Sequence, residues 1–244
     1  MRDYKLETEK RVDFIRRMLG DSGADGIVFG NSGGKDCALV GILCRRACDK
    51  LLAVMMPCGS TRNYGEDIAH AKLLADKFSI PYLIMDLAPA QNALTSAISV
   101  SQPVTAEAAA NIAPRLRMTA LYTIAGSRNS LVAGTGNKSE RSMGYFTKWG
   151  DGACDFNPIG DLTVTEVYEF LRFLGTPREI IEKAPSAGLF EGQTDEREMG
   201  ISYAAIDDYL LTGNVNEKDF SKIERAYKKS EHKRRMPVIY GEDD

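Results

Sequence analysis

The chain has 244 residues, enough for one large domain or two small ones and enough to bury a sizeable core. Hydrophobic residues make up 43% and charged residues 27%, which excludes a disordered chain, and a net charge of −3 excludes a nucleic-acid binder with a strongly basic surface. The amino terminus MRDYKLETEKRVDF is charged throughout and no run reaches the ~18 apolar residues of a membrane span, so a cytoplasmic chain with neither membrane nor nucleic-acid partner is expected.

In chain order, Ala24–Phe29 is a short apolar run closed by the glycine-rich GNSGGKD, and the following CALVGILCRRA has apolar residues at helical spacing. Lys50–Met56 reads as a buried strand, Tyr64–Phe78 as a helix and Pro81–Leu87 as another strand. A long helix is expected from Asn111 to Arg128, then a strand at Ser130–Ala133 that ends in the loop GTGNKSE. This alternation predicts an α/β fold with a doubly wound parallel sheet. Past Asp151 the expected elements are helices at Thr163–Leu174, Arg178–Lys183, Tyr203–Leu211 and Glu217–Lys229, a helical carboxyl-terminal extension interrupted by the polar loop PSAGLFEGQTDERE. No repeat, low-complexity tract or linker divides the chain, so one domain is expected. In such sheets ligands bind beyond the carboxyl ends of the strands, so the loops Gly30–Asp36 and Gly134–Glu140 should converge on one ligand.

The five cysteines, Cys37, Cys44, Cys48, Cys58 and Cys154, are an odd number in a chain able to build its own core, and reduced thiols are expected. Cys37, Cys44 and Cys48 share one helix face. Without a CxxC pair or clustered histidines, inward packing is the reading favoured over a metal site.

The first loop fails the Walker A pattern, because Phe29 and Asp36 stand where a glycine and a Ser or Thr are needed, and Ser139 breaks a GxGxxG reading of the second loop. What remains is physical. Glycines let backbone N–H groups approach a phosphate, the following helix points its positive end at the same anion, and Ser32 adds a hydroxyl. Asp36 beside a polyphosphate requires an intervening cation, which suggests Mg²⁺.

SGGKDC is similar to the SGGxDS signature of the PP-loop ATP-pyrophosphatases, which split ATP into AMP and pyrophosphate while adenylating an oxygen of a second substrate. NIAPRLRM, LVAGTGNKSERSMGYFTKWGDGACDFNPIGDL, PSAGLFEGQTDEREMGISYAAIDDYL and EHKRR narrow this likeness. Together they resemble the ammonia-dependent NAD synthetases over about Gly26 to Arg235. The resemblance implies an adenine-nucleotide alpha-hydrolase-like sheet and a single synthetase domain over 1–244 with no glutaminase domain. It implies amidation of deamido-NAD to NAD with ATP and free ammonia, through an acyl-adenylate, in a homodimer.

Residue by residue, the likeness implies that Gly30, Asn31, Ser32, Gly33, Gly34, Lys35, Asp36 and Cys37 wrap the ATP phosphates, with Asp36 and Glu140 as magnesium ligands. Thr135 and Ser186 match further ATP contacts. Arg115, Lys148, Asp155, His232 and Lys233 match positions that hold the deamidated dinucleotide, and the cations among them suit its pyrophosphate and carboxylate. No single side chain is assigned as the catalytic group. The segment Pro185–Glu198 is expected to close over the site and exclude water.

Two departures stand out. Cys37 replaces the usual Ser, a stronger hydrogen-bond donor, and Val164 occupies the position of the family's ATP-binding lysine. Lys35 is the candidate replacement cation; the alternative is that it points to solvent. Outside these sets, His70 is expected on a helix surface, Trp149 is either core or lid, and the basic run from Lys222 to Arg235 is a solvated helix face. The rivals are another AMP-forming ligase, a nucleotide sensor that has lost catalysis, and a purely structural protein. The paired carboxylates and the two strand-end loops weigh against the last two.

Overall fold

The computed structural model describes residues 2–183 and 194–241. Four parallel strands, β1 (Gly26–Gly30), β2 (Leu51–Met55), β3 (Tyr82–Ile84) and β4 (Ser130–Ala133), lie in the order β3-β2-β1-β4. Ile27 pairs with Leu51 and Leu131, and Ala53 with Tyr82. The chain thus winds outward from β1 to β3 and returns to the other side of β1, so the strand order reverses between β1 and β4. That reversal opens a crevice at the carboxyl edge of the sheet.

Both faces of the sheet are covered, which is why its strands are near-continuous apolar runs. Ile27, Phe29, Leu51, Ala53, Met55 and Ala133 share a cluster with Ile15 of α1 (Tyr4–Ser22), Leu39 and Leu43 of α2 (Lys35–Ala47), and others. The intervening Val28, Leu52, Val54 and Val132 join Ala113 and Ala125 in a second cluster. The period of two along a strand therefore sorts one apolar sequence onto two layers.

Between β2 and β3 lie α3 (Thr61–Tyr64) and α4 (Glu66–Lys77); between β3 and β4 lie α5 (Ala88–Ser101), α6 (Ala106–Ala110) and α7 (Ile112–Ser127). After β4 come α8 (Lys138–Met143), α9 (Val164–Phe173), α10 (Arg178–Ile181), α11 (Asp195–Met199), α12 (Tyr203–Thr212), α13 (Glu217–Lys229) and α14 (Glu231–Arg234). The helical extension has its own small core of Met143, Val164, Ile201, Tyr203, Ile206 and Ile223. Cys37 and Cys44 are buried in the main core and Cys48 packs against it, all three as free thiols.

The expected strands and helices are present, with local differences. The segment Tyr64–Phe78 is divided at Gly65, where the backbone leaves helical geometry, and α3 precedes it. The third strand is shorter than Pro81–Leu87, since Tyr82–Ile84 is a sheet edge with little burial. The second loop is also shorter than Gly134–Glu140. Asn137 and Glu140 form a reciprocal capping box that starts α8 at Lys138.

Candidate functional site

The loop after β1 is held from behind. Asn31 is buried, its side chain donates to the Ala71 carbonyl and accepts from the Gly33 N–H, and its own N–H bonds Val54. Gly33 has φ +70°, and a Cβ there would come within 2.3 Å of the Asp67 carbonyl oxygen, so only glycine fits. Gly34 then caps α2 without any side-chain acceptor, which leaves the first N–H groups of a 13-residue helix facing the crevice. A cleft of about 770 Å³ opens there. Gly30, Asn31, Ser32, Gly34, Lys35, Asp36 and Cys37 line it from β1, and Thr135 and Glu140 from β4, so the two strand-end loops do converge. Cys37 is nearly covered; its Sγ lies 3.3 Å from the Ser32 hydroxyl and burial pushes the thiol up, which keeps it protonated.

At the junction of the loops three charged groups meet. The Lys35 side chain is only 7% exposed, with Nζ 2.6 Å from Asp36 Oδ2 and 3.5 Å from Glu140 Oε1. Asn137 holds the other oxygens: its Nδ2 donates to Asp36 Oδ1 at 3.0 Å and its backbone N–H to Glu140 Oε2 at 3.3 Å. The Lys35 ammonium also lies 5.6 Å from the centre of the Tyr203 ring, on α12. Burial pushes the Glu140 carboxyl up to about 8, and the Asp36 charge adds to this against the pull of Lys35. Burial opposes the charge on Lys35, but the two carboxylates prevail and raise its pKa. The alternative in which Lys35 points to solvent is therefore overturned. Val164, by contrast, is buried in the extension core, where no lysine ammonium would be tolerated unpaired.

Two cations that sequence reasoning passed over, Arg117 and Lys183, also line the cleft. Arg117 donates from Nε to the Met56 carbonyl and from Nη2 to Asn63 Oδ1, and among the described residues no carboxylate pairs with it. Pro114, Arg117, Met118 and Leu121 line the cleft at i, i+3, i+4 and i+7, one face of α7. That phase was readable from NIAPRLRMTAL and favours Arg117 over Arg115. Lys183 is also buried and lines the cleft, with Nζ 2.6 Å from Asp67 Oδ1. No sequence signal distinguishes it from any lysine after a short helix.

The residues expected to hold the dinucleotide divide. Lys233 lines the cleft and donates to the carbonyls of Gly144 and Phe146, both at 2.9 Å. Burial pushes its ammonium down, and the charges of Lys229 and Arg115 act in the same direction. Lys148 donates to the His232 carbonyl at 2.6 Å. Arg115 and His232 are exposed and do not line the cleft. Asp155 lies apart as a bracket on β4, accepting from the Val132 N–H and the Tyr122 hydroxyl. Ser186 and residues 185–193 of the expected closing segment lie outside the described residues. Trp149 is neither core nor wall; it is 46% exposed with the Lys148 ammonium over its ring. His70 departs from its expected surface position. Its side chain is 17% exposed and its Cβ packs over Gly33. The basic run behaves as expected, since α13 buries only Ile223.

A model of the NAD synthase family matches residues 7–237. A protein named NH(3)-dependent NAD(+) synthetase from Carboxydothermus hydrogenoformans is 47% identical over 97% of this chain and 98% of its own length. Among solved structures, an NMN synthetase from Francisella tularensis superposes with a TM-score of 0.91 at 33% identity, covering 99% of this chain and all of that one. An NH3-dependent NAD synthetase from Campylobacter jejuni superposes at 0.80, also at 33% identity, over 98% and 99%. With the glycine loop, the paired carboxylates and matches that span nearly every residue, this chain belongs to the NAD synthase family.

Proposed function

We propose that the chain is an AMP-forming ligase of the cytoplasm that amidates the nicotinate carboxylate of deamido-NAD to give NAD, with ATP as co-substrate and free ammonia as nitrogen donor. The observation that carries this reading is the meeting of Asp36 and Glu140 at the end of a glycine loop whose helix faces a cleft large enough for a nucleotide. The first N–H groups of α2, with Ser32 and Thr135, bind the phosphates. Arg117 adds positive charge from α7, and Lys183 adds more beside the Gly33 carbonyl. Lys233, the one residue of the expected acceptor set that lines the cleft among the described residues, marks the acceptor side, with Lys148 joined to the neighbouring His232 carbonyl.

A carboxylate is a poor electrophile, and adenylation solves this. An oxygen of the nicotinate carboxylate attacks the α-phosphorus, the bond to the β-phosphate oxygen breaks and pyrophosphate leaves. Ammonia then adds to the acyl-adenylate carbonyl, AMP is expelled, and a proton from nitrogen is lost to solvent. The protein's part is to position the two substrates and neutralise phosphate charge.

The donor set fits a magnesium ion, which takes one or two protein carboxylates and completes its shell with phosphate oxygens and water. Asp36 and Glu140 each have one oxygen steadied by Asn137 and the other turned toward a cation, here the Lys35 ammonium. When bound, the ion would neutralise charge on the leaving pyrophosphate.

The test is formation of AMP and NAD from ATP, Mg²⁺ and deamido-NAD, with ammonium in one reaction and glutamine in another. Equal yields of AMP and NAD with ammonium alone support the reading; product only with glutamine overturns the nitrogen source. A second reading takes nicotinate mononucleotide as acceptor and NMN as product. The closer superposition on the NMN synthetase than on the NAD synthetase, at equal identity, favours it, and a higher kcat/KM for the mononucleotide would establish it. A homodimer is supported by α5, a largely apolar helix that buries none of its residues within the chain; sedimentation at monomer mass would refute it.

A further inference from the structure

We propose that Lys35 is a resident counter-cation that excludes divalent metal from the nucleotide-free site and yields its place only when a polyphosphate arrives, so that metal and ATP bind as a unit. This rests on the reading above, in which Asp36 and Glu140 are the metal carboxylates. After Asn137 has engaged Asp36 Oδ1 and Glu140 Oε2, the two remaining oxygens are Asp36 Oδ2 and Glu140 Oε1. Those are the two oxygens that the Lys35 ammonium holds. A divalent ion bound to either, at the ~2.1 Å typical of magnesium, would lie within a few ångströms of a buried ammonium. Like charges so close in a poorly solvated site repel strongly.

The ammonium needs an anion to move to. Lys35 is the first residue of α2 and adjoins the loop whose N–H groups face the cleft, so its side chain pivots beside the place a polyphosphate would occupy. ATP then supplies both an acceptor for the ammonium and oxygens that complete the metal's shell. The same residue thus holds the carboxylates apart from metal in the empty site and adds a phosphate cation in the loaded one, where Val164 offers none.

The test measures Mn²⁺ binding by loss of the free-ion electron paramagnetic resonance signal, on the full chain, with and without α,β-methylene-ATP. The wild-type protein should bind Mn²⁺ at least tenfold more tightly with the analogue than without it, beyond what the analogue binds in buffer. K35M, which retains most of the stem volume, should bind Mn²⁺ at least tenfold more tightly than wild type when nucleotide-free, and the analogue more weakly. K35M/E140Q should lose the gained Mn²⁺ site. Unchanged nucleotide-free affinity in K35M overturns the inference, while loss of analogue-dependent Mn²⁺ binding in D36N and E140Q would still uphold the carboxylates as metal ligands. A gained site that survives in K35M/E140Q means the ion binds elsewhere and overturns both. Should K35M not fold, wild type alone decides: tight Mn²⁺ binding without nucleotide refutes the exclusion.

Discussion

Two clusters of charge in this molecule are built from the same kinds of side chain and do opposite things. Behind the sheet, Arg11 of α1 grips Asp161 with both Nη atoms, at 2.6 and 2.9 Å, and also bonds Glu7 and the Pro158 carbonyl. Arg2 meets Glu166, whose other oxygen accepts from the Thr163 N–H to cap α9. Three carboxylates there, Glu7, Asp161 and Glu166, share two guanidiniums that reach them with several N–H groups. In the site, two carboxylates share one ammonium. The carboxylates record the difference in opposite directions: burial would raise Asp161, but Arg11 and Arg2 hold it below the usual range, whereas Glu140 is pushed well above it. A cluster laced by multidentate guanidinium bonds ties elements together, although Arg11 Nε itself finds no partner among the described residues; one in which two buried carboxylates lean on a single ammonium is poised for a cation from outside.

The sharpest way to break this contrast is to remove a charged group from each cluster in turn. Asp36→Asn and Glu140→Gln should each lower the rate of AMP formation about 10³-fold, the scale of lost metal and charge stabilisation, with Tm little changed or raised. A fold that collapses in Glu140→Gln would show that the site cluster is structural too. The mirror experiment is Arg11→Met, which strands the Pro158 carbonyl, leaves Asp161 and Glu7 to Arg2 alone, and should cost about 2 kcal/mol of stability. Its kcat at a temperature where it remains folded should equal that of wild type; a large fall would link the two clusters.

The legibility of these features in the sequence follows their range of interaction. Ala24–Phe29 and Ser130–Ala133 were readable as strands because burial on both faces makes an unbroken apolar run, and Asp36 and Glu140 were readable as partners because each closes a glycine loop at a strand end. The start of α8 was obscured by reading Asn137 and Glu140 only as loop residues, although N-x-x-E is also a capping box. Arg117 was passed over for Arg115 although helix phase separates them. The inward turn of Lys35 was not legible, because it depends on Asn137 and Tyr203 arriving from residues a hundred or more positions away.

Arg117 offers a finer test of the site wall. Burial pushes its guanidinium down against the pull of nearby Asp151 and Asp67, and among the described residues its hydrogen bonds go to neutral partners, the Met56 carbonyl and Asn63. Arg117→Met should raise KM for ATP about tenfold, equivalent to about 1.4 kcal/mol, with kcat within about a factor of three of wild type. An equal fall in kcat and kcat/KM would instead place Arg117 at the reacting groups.

The smallest effect expected is on the acid limb of stability, and it reads the pairing of Asp161 with Arg11 and Arg2. A carboxyl whose folded pKa is lowered stabilises the fold at pH above its unfolded value and loses that contribution as pH falls through the folded one. For Asp161 the ordinary value is 3.8, so the contribution is complete near neutrality and fades below that value. Its side chain is 55% exposed, and solvent screening limits its pairing with the two guanidiniums to about 1 kcal/mol or less despite the two-pronged Arg11 geometry. Asp161→Asn should therefore melt a few degrees below wild type at about pH 7, and the two curves should converge toward about pH 3. A gap that stays constant with pH would mean that Asp161 acts through hydrogen bonds an amide can replace only in part, and that the alignment of charge behind the sheet is not what separates that cluster from the one in the cleft.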